Sequence, residues 1–324
     1  MDPDEFARAA DALGAGAAQV MVAGMAGPLG REHARLARLA AGCDRLFVLR
    51  PPWAPGVVIC GASHRPGPGA QVQHAAGLWR DARGAWCRAM GEVAEARGLH
   101  LAGDGGSLPL LGHDLRPCGT IPAAQVRRQP GDAAPVHGLG AGADLAQAAR
   151  SAWHEAVERH AIALWLAGDA PARPLGTEPT ALRALETALR GGVAQAPLRF
   201  LQLPGAVPGL VVVVALSDRP EGVVPGYGCA PDLTEAACKA ATEVILGEFG
   251  LDLERRRAAP GAAPGQARAR RLAERPDLIR PGSGPLDAGA ALVPCFAVLT
   301  RCDDGVPVVR VVADGLRTPA PGAV

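Results

Sequence analysis

Apolar residues keep two rhythms along this chain. Short apolar runs at 45–50 (RLFVLR), 57–60 (VVIC), 198–203 (LRFLQL), 210–216 (LVVVVAL), 291–299 (ALVPCFAVL) and 306–312 (VPVVRVV) have the length and branched content of strands. The run 210–216 is apolar enough to be covered on both faces. Asp303-Asp304-Gly305 has the chemistry of a hairpin turn between the last two. Helical spacing governs the alanine-rich stretch up to residue 45, where Phe6, Ala10, Leu13, Leu36 and Leu39 recur, and glycines between Gly24 and Gly30 break it in two. A further helix is expected over 181–190, and an exposed basic helix plus loop over 254–286. The proline-punctuated segments 103–136 and 168–180 read as connections.

The strongest pattern is a glycine turn followed by a helix, and it occurs three times. In 137–165, Gly138, Gly140 and Gly142 form the turn, Asp144 stands at the helix N-cap position, and Ala148, Ala152, Ala156, Ala161 and Leu164 follow. Glu155 and Glu158 are three apart, so their carboxylates share a helix face, with Ser151 one turn above Glu155. Residues 76–97 align on this stretch as G-x7-A-x3-A-x2-E-x2-E, placing Gly77 on Gly140, Ala85 on Ala148, Ala89 on Ala152, Glu92 on Glu155 and Glu95 on Glu158. Residues 226–249 repeat it with Gly226 and Gly228, Ala236, Ala240 and Glu243, with Lys239 where Ser151 stands and Leu246 where the second glutamate stands. Paired carboxylates of this kind suit a hard divalent cation such as Mg2+. Arg159, four residues after Glu155, suits either an intrahelical ion pair or a phosphate, and Lys239 either a phosphate or plain solvent.

Composition narrows the function classes. A formal net charge of +1 over 324 residues gives no electrostatic footprint for nucleic acid, and 3% aromatic residues offer few platforms for stacked bases. With 48% hydrophobic residues the chain can bury a sizeable core despite 42 glycines and 30 prolines. The eight cysteines make no C-x-x-C pair, the start Met1-Asp2-Pro3-Asp4-Glu5 is acidic, and no apolar run reaches the length of a membrane span. The expected setting is the reducing cytoplasm.

These blocks resemble the YcaO superfamily, specifically the ATP-dependent cyclodehydratases of ribosomally made peptides. The central HGLGAGADLAQAARSAWHEAVER is similar to that family's N-G-x-A-A-G…A…E-x-x-E-R block. The segment from Pro208 to Phe249 resembles its later block, a strand, a G-x-G loop and a helix bearing R-A-x-x-E. Residues 76–97 occupy the place of the first block, with Leu78 and Trp79 in place of a phosphate-binding Lys-Gly. Arg88, one turn before Glu92, is the candidate replacement for that charge. Pro319 and Pro321 fit the family's P-x-P-x-P tail, and Ala323 replaces its last proline.

The resemblance implies an α/β (α+β) fold of glycine-turn-plus-helix units on mixed sheets. It divides into an N-terminal segment over 1–56 and an ATP-binding domain over 57–324. It implies Mg2+ held by Glu92, Glu95, Glu155 and Glu158, and ATP met by Ser151, Arg159, Lys239, Glu243 and Arg88, with Glu155, Glu158 and Arg159 acting in catalysis. The implied reaction closes a Cys, Ser or Thr side chain onto the preceding backbone amide, with ATP activating the amide oxygen. The implied partners are a precursor peptide, a leader-binding protein resembling ubiquitin-activating enzymes, and a second copy of the chain. The alternatives are a catalytically degenerate subunit that binds peptide or a partner, and a relative making another backbone change such as a thioamide.

Overall fold

The computed structural model describes residues 31–103, 105–127, 136–169, 171–175, 179–193, 197–204, 207–220, 222–257, 264–279, 292–300 and 305–319. The helix expected before residue 31, Asp303 and Asp304 of the hairpin turn, Pro321 and Ala323 lie outside these residues. In chain order come α1 (Arg31–Ala41), β1 (Arg45–Leu49), β2 (Val58–His64), β3 (Gln73–Trp79), α2 (Ala82–Leu101), β4 (Ser107–Leu111), β5 (Pro117–Pro122) and α3 (Ala123–Val126). Next are β6 (Val136–Ala141), α4 (Leu145–Ala167), β7 (Arg173–Pro174), α5 (Pro179–Arg190), β8 (Arg199–Leu203), β9 (Val211–Arg219) and β10 (Gly222–Ala230). The chain continues with α6 (Leu233–Arg257), α7 (Pro264–Ala273), α8 (Pro276–Ile279), β11 (Cys295–Thr300) and β12 (Val308–Val312). The fold is α/β. None of the helices among the described residues is long and apolar enough to cross a membrane.

Two compact units emerge. One takes the described residues within Met1–Arg128, Leu139–Trp153 and Pro294–Val312, the other those within Gln129–Gly138, His154–Val293 and Ala313–Val324. In the first, β1, β2 and β3 form an antiparallel sheet in that order. Helix α2 packs on it through Trp86, Ala89, Met90 and Val93, which meet Val58, Cys60 and Ala62 in one buried cluster. A second sheet runs in the order β5-β4-β11-β12-β6. The segment 103–136, expected as a connection, supplies the β4–β5 hairpin of this sheet, whose Leu108, Leu110 and Ile121 pack on Val126 and Ala297.

The second unit is built on the antiparallel sheet β10-β9-β8-β7, with α6 packed across β10 and β9. Residues Val212 to Leu216 are buried on both faces, as the unbroken apolar run predicts. Segment 254–286 was expected to be exposed, yet Ala269, Leu272 and Leu278 are buried, because apolar residues recur between its arginines at helical spacing. Trp165 ties α4 to this segment. Its indole Nε1–H donates to the Leu278 carbonyl at 2.9 Å, and its ring meets Tyr227 edge-on with centroids 6.3 Å apart.

The glycine turns of the sequence are strands. Gly77 lies in β3, Gly138 and Gly140 in β6, and Gly226 and Gly228 in β10, while α2 begins only at Ala82. The reason is steric. A Cβ on Gly77 would sit 2.3 Å from the Ala85 carbonyl and 2.4 Å from the Ala89 nitrogen. On Gly140 it would sit 2.5 Å from the Ala148 carbonyl and 2.3 Å from the Ala152 nitrogen; on Gly228, 2.2 Å from the Ala236 carbonyl and 2.7 Å from the Ala240 nitrogen. Each strand therefore touches the backbone of the helix that follows it, at the same offsets. The aspartate four residues after each glycine caps that helix. Asp81 accepts from Gly84 N–H at 2.7 Å, Asp144 from Gln147 N–H at 2.7 Å and Asp232 from Glu235 N–H at 2.9 Å. The repeat is thus G-x3-D-x3-A-x3-A-x2-E, a strand, a capped helix start and a glutamate beyond the contact.

A buried ionic group joins α5, α6 and β9. The Arg190 guanidinium meets both oxygens of Glu248 at 3.0 Å, and Ser217 Oγ–H donates to Glu248 Oε1 at 2.6 Å. Glu248 and Arg190 are almost wholly buried, so each neutralises a charge that water does not reach.

Two stability tests follow from this packing. Gly140→Ala should cost on the order of 2 kcal/mol in denaturant unfolding, because strand and helix must part. Gly91→Ala, in α2 with open space around the new methyl, should instead gain roughly 0.5–1 kcal/mol. Equal effects would contradict the close-approach reading. Glu248→Ala should cost about 3–5 kcal/mol, since it strands the Arg190 charge, and an unchanged unfolding midpoint would contradict that role.

Candidate functional site

The second unit gathers an acidic group. Glu155 and Glu158 lie on α4 and Glu243 on α6, at the matching offset beyond the strand–helix contact. Burial pushes the Glu158 carboxyl well above the usual carboxylate range, and the charges of Glu243 and Glu155 push it further, with Arg159 and Lys239 pulling the other way. Glu158 therefore feels two other carboxylates and two cations of this unit. Burial also raises the Cys229 thiol, and Glu158 adds to the rise.

Each member of the group is held. Glu155 pairs with Arg159 one turn on, so the intrahelical alternative for Arg159 is present alongside its place in the acidic group. Glu243 Oε2 accepts from the Tyr227 backbone N–H of β10. Lys239 Nζ donates to the Cys229 carbonyl at 3.0 Å and pairs with Glu235 at 2.9 Å. It is a half-buried cation bridging β10 and α6, not a purely solvated one.

The other sequence-predicted residues, Glu92, Glu95, Arg88 and Ser151, belong to the first unit. Glu92 is exposed on α2, in the first unit. Glu95, one turn further along α2, accepts from the Ala141 N–H of β6 at 3.0 Å. The exposed Arg88 lays its guanidinium over the Trp79 ring, 4.0 Å from the centroid. Ser151 is exposed on α4, one turn before Glu155. The fixed spacing of the repeat makes Glu243 the counterpart of Glu92 and Glu155, and it also marks Asp81 and Asp232, which were not singled out from the sequence, as counterparts of Asp144.

Oxygen donors alone make this group suitable for Mg2+ and unsuitable for a soft metal. Among the described residues no three His, Cys, Asp or Glu side chains are drawn in to direct-ligand spacing.

The raised Glu158 pKa gives a pH test. At a pH below the ordinary carboxylate range Glu158 is protonated whether the chain is folded or not. As pH rises through that range the unfolded chain ionises and the folded one resists, so stability is lost towards neutral pH. Glu158→Gln should therefore raise the melting temperature of the ligand-free protein at pH 7, on the order of a few degrees, with the gain shrinking towards pH 4. A gain that grows as pH falls would contradict the assignment.

A family model described as YcaO cyclodehydratase, ATP- and Mg2+-binding, matches residues 120–288, just over half the chain. That span holds β6, α4, β10 and α6 with every member of the acidic group. No curated protein sequence matches. The chain is similar to the structure of YcaO from Methanopyrus kandleri bound with AMPPCP and Mg2+, at 22% identity over 89% of this chain and 91% of that chain, with a TM-score of 0.62. It is similar to a heterocyclase in complex with substrate and cofactor, at 18% identity over 89% of this chain and 52% of that one, with a TM-score of 0.65. It is also similar to the E. coli microcin synthetase McbBCD complex with pro-MccB17 bound, at 13% identity over 79% of this chain and 84% of that one, with a TM-score of 0.52. At these identities the structural likeness shows a shared fold. With the matched family model covering just over half of it, including the second and third glycine–alanine repeats, the chain belongs to the YcaO family.

Proposed function

We propose that this chain is an ATP-dependent cyclodehydratase acting on a Cys, Ser or Thr side chain and the preceding amide of a ribosomally made peptide. The observation that carries the reading is the meeting of Glu155, Glu158 and Glu243 with Arg159 and Lys239 in one unit. Support comes from the family description and from the nucleotide, Mg2+ and peptide named for the structurally similar proteins.

In this reading Glu155, Glu158 and Glu243 would hold Mg2+ directly or through its water shell. Arg159 and Lys239 donate charge-assisted hydrogen bonds to phosphate oxygens, and Ser151 lies one turn away on the same helix. Bound Mg2+ and ATP supply the phosphoryl group that turns an amide oxygen into a leaving group. The protein's share is electrostatic: fixed carboxylates and cations reduce the reorganisation needed as charge moves. The net change is loss of one water from the peptide, balanced by ATP becoming ADP and phosphate. Glu92 and Glu95 belong to the same proposal only as additional carboxylates. Glu95's bond to Ala141 also gives it a bracing role. A precursor peptide, a leader-binding partner resembling ubiquitin-activating enzymes, a homodimer and a cytoplasmic setting complete the proposal.

The test is mass spectrometry of a cysteine-rich peptide incubated with the protein, its partner, Mg2+ and ATP. The peptide should lose about 18 Da, one water, with stoichiometric ADP, and Glu155→Gln or Glu158→Gln should lower the rate at least about 100-fold while the fold persists. ATP consumption with a gain of sulfur would favour the thioamide alternative, and no nucleotide turnover at all would favour the degenerate subunit.

A further inference from the structure

After β12 the chain does not run free. Residues 313–319 lie on the second unit and are held by side chains of β6, α4 and the residue just past α4. His137 of β6, itself buried, donates from Nε2–H to the Ala313 carbonyl at 3.0 Å. Its Nδ1 faces Thr318 Oγ1 at 3.4 Å. His160 of α4 accepts the Arg317 backbone N–H on Nδ1 at 2.9 Å. The Arg317 guanidinium closes an ion pair with Asp169, two residues beyond the end of α4. The His160 imidazole is thereby fixed with its Nδ1 lone pair on the Arg317 N–H, and His137 carries a proton on Nε2.

We propose that residues 313–319 are a strap that braces the C-terminal half of α4 against β6, with His160, His137 and Asp169 as its positioning residues. The points of attachment carry the argument. One contact lies on α4 two residues after Glu158, one lies past the last turn of α4, and one lies on β6 at the entrance to the glycine repeat. A segment tied at those three places resists any shift of α4 along its axis. Such a shift would separate Glu155 and Glu158 from Glu243. In each repeat the glycine–alanine contact fixes the start of the helix. That contact sits at Ala148 and Ala152, near the start of α4, and leaves the later turns to other anchors. The inference rests on the proposed function only in naming which half of α4 matters.

Hydrogen exchange on the full chain, without ligand, tests it directly. The Arg317 amide should be protected, and His160→Ala should speed its exchange about tenfold, the loss of one hydrogen bond. His160→Gln, whose side-chain oxygen can accept the same N–H, should restore part of the protection. Amides of α4 beyond Glu155 should also exchange faster in His160→Ala, and in Arg317→Ala, which serves should His160→Ala not fold. An unprotected Arg317 amide in the parent chain would overturn the strap. Release of the strap with α4 exchange unchanged would overturn the bracing. A Mg2+–nucleotide thermal shift on the parent chain is read separately, so its absence would count against the proposed function and leave the exchange result to decide the strap.

Discussion

Backbone-to-backbone contact between a strand and the helix that follows it is the constraint on which this structure depends. A glycine on the strand leaves no side chain, alanines on the helix leave almost none, and the two main chains approach until even one methyl would not fit. The same contact occurs at Gly77, Gly140 and Gly228, with an aspartate cap four residues on and a glutamate fifteen residues on. Because the offsets are fixed, the glutamate is delivered to the same place in each repeat. In two of the three repeats that glutamate, Glu155 or Glu243, belongs to the acidic group of the second unit.

Like charges collected at low exposure are costly, and the protein meets the cost in three ways. Glu155 is paired with Arg159, Glu243 is held by a backbone N–H, and Glu158 tends to keep its proton. A cation and phosphates entering this group would replace those partial solutions with direct neutralisation. The buried Arg190–Glu248–Ser217 group shows the contrast. There every charge is already met within the protein, and the role is structural.

Much of this was legible in the chain. The strands at 45–49 and 211–216 announced themselves by unbroken apolar runs, and the alignment of glycine, alanine and glutamate pointed to equivalent positions. What the sequence hid was of two kinds. Glycines suggested turns because their usual value is conformational; here their value is steric, and that shows only when a helix lies against them. The influence of Glu243 on Glu158 arises between residues 85 apart in sequence, and no local pattern reports it. The same holds for His137, His160 and Arg317, which are unremarkable singly and meet only through the fold.

Calorimetric titration with Mg2+ and a non-hydrolysable ATP analogue, repeated in buffers of different ionisation enthalpy, addresses the central claim most directly. If the acidic group receives the cation, binding displaces the proton that the raised Glu158 carboxyl favours; the release fades as pH rises above the range in which the empty site is protonated, and it vanishes in Glu158→Gln. Tight binding with no proton release, or release that persists in Glu158→Gln, would contradict the account.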